Sequence, residues 1–117
     1  MATITPAVTR IGPNTRRVVW ATMSTGDTIT QHNADARAVD GTIQAVGTFG
    51  GSCAIGLTGS LDGTNFGTMD DASGSALTAK TVAFLEGIRD SATSFQPTIA
   101  SGTADSVTVT IEYRLEA

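Results

Sequence analysis

His32 is the single histidine of the chain, and Asp35 and Asp40 lie close to it in sequence. A histidine oriented by a carboxylate is the usual arrangement of a general base. Here the pattern stops at two residue types. No serine sits in a Gly-x-Ser-x-Gly elbow, and Cys53, the single cysteine, lies in the apolar run Cys53-Ala54-Ile55-Gly56-Leu57. A small buried thiol is expected there, with neither a disulfide nor a cysteine metal cluster. Zinc would need more nitrogen or sulfur ligands than the chain offers. Asp62, Asp70 and Asp71, with Asn65, could supply oxygen ligands to calcium, but the spacing of a calcium loop is missing. Asp62-Gly63 reads as turn chemistry, the aspartate capping its own backbone and the glycine taking the left-handed conformation. Phe49-Gly50-Gly51-Ser52 opens no helix and makes no phosphate cradle. The expectation is a protein without catalytic residues, cofactor or metal.

Three other side chains stand out by their distribution. Residues 1–26 hold Arg10, Arg16 and Arg17 and no acid, whereas all 11 acidic residues follow, in a chain of net charge −4. A basic N-terminal stretch on an otherwise acidic chain suits contact with an acidic neighbour, so these three arginines are the candidate partner contacts. Nucleic acid is not expected as the partner, because phosphate binding needs clustered Lys and Arg, and the sequence pI is about 4.6.

The elements that must position these residues are short. Of 117 residues, 13 are Gly, 16 Ala, 9 Ser and 20 Thr, with one Lys and 15% charged residues. An average soluble domain has about 25% charged residues. Such a composition disfavours long helices and favours strands and turns. No apolar run reaches membrane-spanning length, and no signal-peptide core opens the chain, so it is expected to be made in a cytoplasm.

Arg17–Met23 and Thr42–Phe49 read as strong strands, and Gln31–Asp40 as a loop with at most a weak strand. Gly50-Gly51-Ser52 reads as a hairpin reversal into Cys53–Ser60. Phe66–Met69, Leu77–Ala79, Val82–Ile88 and Phe95–Ala100 follow. The last run is the clearest: Val107, Val109, Ile111, Tyr113 and Leu115 alternate with polar residues. Strands recurring every 8–12 residues or so predict an all-β, single-domain β-sandwich, jelly-roll-like, over residues 15–117. Residues 1–14, bearing Pro6 and Pro13, form an extended N-terminal arm or edge strand. Trp20, Phe49, Phe66, Phe84, Phe95 and Tyr113 are the expected large core residues. One lysine for so many strands leaves the sheet edges lightly guarded, as in a domain whose surfaces are covered by neighbours.

Gly47-Thr48-Phe49-Gly50-Gly51-Ser52, Gly59-Ser60-Leu61-Asp62-Gly63-Thr64-Asn65-Phe66, the stretch Asp71 to Leu77, Gln96-Pro97-Thr98-Ile99 and the closing Val107–Ile111 strand together resemble a group of small tailed-phage virion proteins. The resemblance spans roughly Gly26 to Ile111. It departs at Leu61, Phe66 and Gln96, where the group has Asn, Trp and Arg, so no contact of that Arg is carried over. The resemblance implies a virion structural component, a non-enzymatic capsid decoration (cement) protein on the head surface, with the major capsid protein and copies of itself as partners. A tail or neck component is the alternative. The turn Gly-Ser-x-Asp-Gly-Thr-Asn also occurs in carbohydrate-binding sandwiches, which gives a second alternative.

Overall fold

A computed structural model describes residues 2–116, all strand and loop; there is no helix among the described residues. The strands are β1 (Thr3–Ile4), β2 (Ala7–Arg10), β3 (Thr15–Met23), β4 (Thr28–Ile29), β5 (His32–Thr48), β6 (Gly51–Ser60), β7 (Gly67–Thr68), β8 (Phe84–Ile88), β9 (Ala92–Gly102) and β10 (Ser106–Leu115). The hydrogen-bonded path runs β2-β3-β10-β5-β9-β6-β7, with β8 also on β5. The fold is the expected all-β sandwich.

Two layers arise because β5 serves both. Its C-terminal part, from Gly41 on, lies between β10 and β8, and its N-terminal part, through His32 and Asn33, pairs with β9. The change of direction falls at Asp40 and Gly41. Thr42 faces Glu112 and Val39 faces Arg114, so these two residues oppose Tyr113 alone. That is a β-bulge, which bends and twists a strand, and Asp40 takes a positive φ of 52° to make it. Strands that pass between sheets in this way make the corners of sandwiches.

The core is the inner row of each layer. Val18, Trp20, Ile43, Val107, Val109 and Ile111 come from the first layer, and Cys53, Ile55, Leu57 and Phe95 from the second; all are buried. Of the aromatic residues expected inside, Trp20, Phe95 and Tyr113 are buried, whereas Phe49, Phe66 and Phe84 are half-buried at the margins. The centre is filled mainly by β-branched and aliphatic side chains. The indole N–H of Trp20 donates to the carbonyl of Thr30 at 2.8 Å, which satisfies its one polar group.

Two expectations are corrected. Gln31–Asp40 is no loop: from His32 on it is the first half of β5, with buried and exposed residues alternating. Alanine and charged residues favour strands weakly, but pairing with β9 at His32, Asn33 and Ala38 and with β10 at Ala38 and Val39 overrides that preference. Gly50-Gly51 is no hairpin either, since β5 and β6 are not neighbours. The glycines instead permit a close crossing. A Cβ on Gly50 would stand 2.1 Å from the Thr103 carbonyl oxygen. The Thr103 amide in turn donates to the Gly50 carbonyl at 3.1 Å.

Leu77–Ala79 is tied to β6 through single bridges and forms no strand of its own: Leu57 donates to the Leu77 carbonyl, and Ile55 bridges Lys80. The N-terminal segment is extended and hydrogen-bonded to the body. β1 runs parallel to β4, and β2 pairs antiparallel with β3 from Ala7↔Val19 to Arg10↔Arg16. All four residues of β2 are exposed, so the segment buries little.

Candidate interaction surfaces

The β2–β3 hairpin places the three candidate arginines. Val8 faces Val18, which points into the core, and alternation therefore puts Arg10 and Arg16 on the inner side and Arg17 on the outer side. Arg10 and Arg16 are direct cross-strand partners. Both wrap onto the turn between the strands. The Arg10 guanidinium donates to the carbonyls of Gly12 at 3.3 Å and Pro13 at 3.5 Å. Arg16 donates to Gly12 at 3.3 Å, Pro13 at 3.4 Å and Thr15 at 3.2 Å. Among the described residues neither has a carboxylate within ion-pair distance. Arg17 does: its Nε and Nη2 donate to Glu112 at 3.1 and 2.9 Å. The structure thus brings two of the three arginines together and sends the third to the opposite face.

That opposite face is the outer surface of the first layer. Val19, Thr110, Gln44 and Leu85 stand side by side across β3, β10, β5 and β8, and Arg17, Glu112 and Thr42 form the next row. A shallow open groove of about 760 Å³ runs over these rows. Its charges are matched, Arg17 with Glu112 and Arg114 with Asp40. Exposed pairs of this kind add little stability, but they leave the face close to neutral. Leu85 is 67% exposed, and Val46, two residues beyond Gln44 on the same face, is 45% exposed. Leu85 lies on β8, the edge strand of this layer, and an apolar side chain that open is one that a partner surface can cover.

His32 is paired with Tyr113 rather than with either of the two nearby carboxylates. Its Nε2 lies 2.6 Å from the Tyr113 hydroxyl, and both residues are buried. The Tyr113 ring stacks on Phe95 with centroids 5.5 Å apart. Burial holds the imidazole below its ordinary pKa, against the opposing pull of Asp35, and pushes the Tyr113 phenol up to about 12. Neither Asp35 nor Asp40 hydrogen-bonds His32; Asp40 is at the bulge, turned to Arg114.

The carboxylates considered for calcium have separate tasks. The Oδ1 of Asp62 accepts the amides of Thr64 and Asn65, each at 2.8 Å, while Gly63 takes a φ of +76°. The Asn65 and Thr64 amides hold the Asp62 carboxyl well below the usual range. Asp71 accepts the Ser73 hydroxyl at 2.7 Å and the Ser75 amide at 2.9 Å, which lower its pKa in the same way. Asp70 pairs with Arg89 at 2.6 Å. Among the described residues no three His, Cys, Asp or Glu side chains converge as metal ligands.

Sequence reasoning passed over Asp105. It is buried and accepts the Thr25 hydroxyl at 2.6 Å and the Thr25 amide at 3.0 Å, fastening the β3–β4 turn to the β9–β10 turn. Burial, with Asp105 nearby, raises the Cys53 thiol to about 11, so this cysteine is a core hydrophobe and a poor nucleophile at neutral pH. The available signal was faint: an aspartate in the turn that precedes the most regular strand.

Comparisons with protein-family models, with curated proteins and with solved structures give no match to this chain.

Proposed function

We propose that this chain is a non-enzymatic decoration protein of a tailed-phage head, one that binds the assembled shell and stabilises it. The observation that carries the reading is the outer face of the β3-β10-β5-β8 layer. It is broad, near neutral, rich in threonine, and has Leu85 and Val46 open to solvent. A footprint of about 1,000 Å² or more with apolar anchors at its centre and polar groups around them is what a specific protein interface requires. The turn and strand motifs, which resemble those of small tailed-phage virion proteins, support the same reading. Cys53 is buried in the core, and the His32 imidazole is tied to the Tyr113 hydroxyl.

The mechanism is mass action. A protein that binds only the assembled shell lowers its free energy by about 2.7 kcal/mol per site at a hundredfold excess over the dissociation constant. Repeated over a lattice, modest sites oppose the outward pressure of packaged DNA. In this reading the partners are the major capsid protein and copies of this chain, and the location is the virion surface. The test compares particles prepared with and without the protein. Decorated particles should release DNA at a higher temperature, and purified protein added back should restore the difference. Substituting Leu85→Asp should weaken attachment while leaving the fold intact. Finding the protein confined to the tail would overturn the head assignment.

A further inference from the structure

The inner side of the β2–β3 hairpin lies apart from the outer face of the β3-β10-β5-β8 layer, and it combines three features. The first is a free edge. β2 is the terminal strand of the path, and its pairing with β3 runs without a register shift from Ala7 to Arg10. No proline or bulge lies within those four residues, and their one guarding charge is Arg10, which bars a basic or like-charged edge and favours an acidic one. Bonded and non-bonded pairs alternate along an antiparallel ladder. The Ile11 amide donates to the Thr15 carbonyl at 3.0 Å. Counting back in the same register, Ala7 and Thr9 bond inward to β3, and Val8 and Arg10 turn their N–H and C=O groups to the open edge.

The second feature is charge. Arg10 and Arg16 face one another directly, and like charges so placed repel. Their guanidinium groups share the carbonyls of Gly12 and Pro13, and each retains N–H donors beyond those bonds. The third is a cleft of about 290 Å³ beside them, walled by Val8, Arg16 and Leu115, with His32 and Tyr113 at its base and Asp35 on its margin.

We propose that the β2 edge is a docking strand for an extended acidic segment of a partner polypeptide. The segment adds alongside β2, bonding the backbone of Val8 and Arg10. Side chains alternate along a strand, so two that are separated by one residue face the hairpin's inner side together. One is acidic and meets the Arg10–Arg16 pair. The other, two positions away, is apolar and lies against Val8 at the mouth of the cleft. Backbone bonds give affinity, and the two side chains give selectivity. Charge disfavours β2 of a second copy as the occupant, because it would bring two such arginine pairs to one seam. The inference does not rest on the virion reading, and its test uses the isolated protein.

The probes are two heptapeptides, acetyl-Thr-Thr-Val-Thr-Glu-Thr-Thr-amide and the same residues in reverse order, titrated to millimolar concentration into nitrogen-15-labelled protein. One of the two should shift the amide signals of Val8 and Arg10 most strongly, and which one does so gives the direction of addition. Replacing its Glu by Lys should weaken binding about tenfold or more. The Arg10→Ala/Arg16→Ala double variant should lose binding to a similar extent. Val8→Pro removes an outward N–H and no bond to β3; it should abolish binding while the Ala7 and Thr9 amides stay protected from exchange. The proposal is overturned by the absence of shifts with both peptides, by shifts centred away from β2, or by equal binding of the Lys peptide. It is also overturned if the Val8 and Arg10 signals move with protein concentration alone, which would assign the edge to a second copy.

Discussion

The imidazole of His32 and the phenol of Tyr113 meet at 2.6 Å, joining the first residue of β5 to the inner row of β10. Each supplies the other's partner at a buried position, so neither can be replaced without exposing the other's unmet need. This contact yields the first prediction. His32 titrates below its ordinary value of 6.5 in the folded protein. Between that depressed value and 6.5 the unfolded chain binds the proton and the folded one does not, so stability rises with pH across that window and falls as pH drops through it. Thermal melts from about pH 7.5 to 5 should show a declining midpoint. His32→Gln should flatten that decline. Tyr113→Phe should lower stability by about 1–3 kcal/mol in denaturant titration, the range for leaving a buried polar group without its partner.

Glycine positions give a second, paired prediction. Gly50→Ala forces a methyl against the Thr103 carbonyl, whereas a Cβ at Gly67 meets nothing within 4 Å. Urea midpoints should separate the two: a loss of about 1–3 kcal/mol for Gly50→Ala and little change for Gly67→Ala. Equal effects would mean that the β5–β6 crossing is looser than its geometry implies.

The Arg17–Glu112 pair is the third. Its side chains are 48% and 41% exposed, although Arg17 makes two bonds to one carboxylate oxygen. A double-mutant cycle with Arg17→Ala and Glu112→Ala should give a coupling of about 0.2–1 kcal/mol that shrinks with added salt. A larger, salt-insensitive value would give this pair a structural role that its exposure does not suggest.

The fourth concerns the acidic loops. The Asp62 and Asp71 carboxylates are engaged by amides and hydroxyls of their own turns. Chelator should therefore leave the melting temperature unchanged, and added calcium should not raise it. Because both groups titrate below their ordinary 3.8, their contribution is present at neutral pH and is lost as pH falls below about 4. Asp62→Asn should lower the melt at neutral pH by more than it does at low pH, which flattens the acid limb.

Much of this was legible from residue order. The alternation of Val107, Val109, Ile111 and Tyr113 marks β10, the centre of the first layer, and Asp62-Gly63 marks its turn outright. The first half of β5 was obscured by composition. Ala34, Ala36 and Ala38 alternate with polar residues at the correct period, but alanine carries too little apolar signal for a strand that is held at its ends by β9 and β10. Gly50-Gly51 carried two meanings, a turn or a close approach, and local sequence holds no information about the Thr103 turn that decides between them. The arginines illustrate the same limit. Their positions 10, 16 and 17 announce a basic stretch, but which two share a face depends on the hairpin register, and the β2–β3 turn fixes that register.

The place of β10 between β3 and β5 has a consequence for how the molecule comes into being. The layer's middle strand is drawn from residues 106–115, and its two flanks are made from residues 15–48. On the ribosome β3 can pair with β2 early, but β3 and β5 must wait for the strand that joins them until nearly all the residues described here have emerged. Folding is then a late event dominated by contacts distant in sequence, which places it among the slower topologies. Removal of the last strand by premature termination would part β3 from β5 and open the first layer at its middle, so incomplete chains should be insoluble or rapidly degraded.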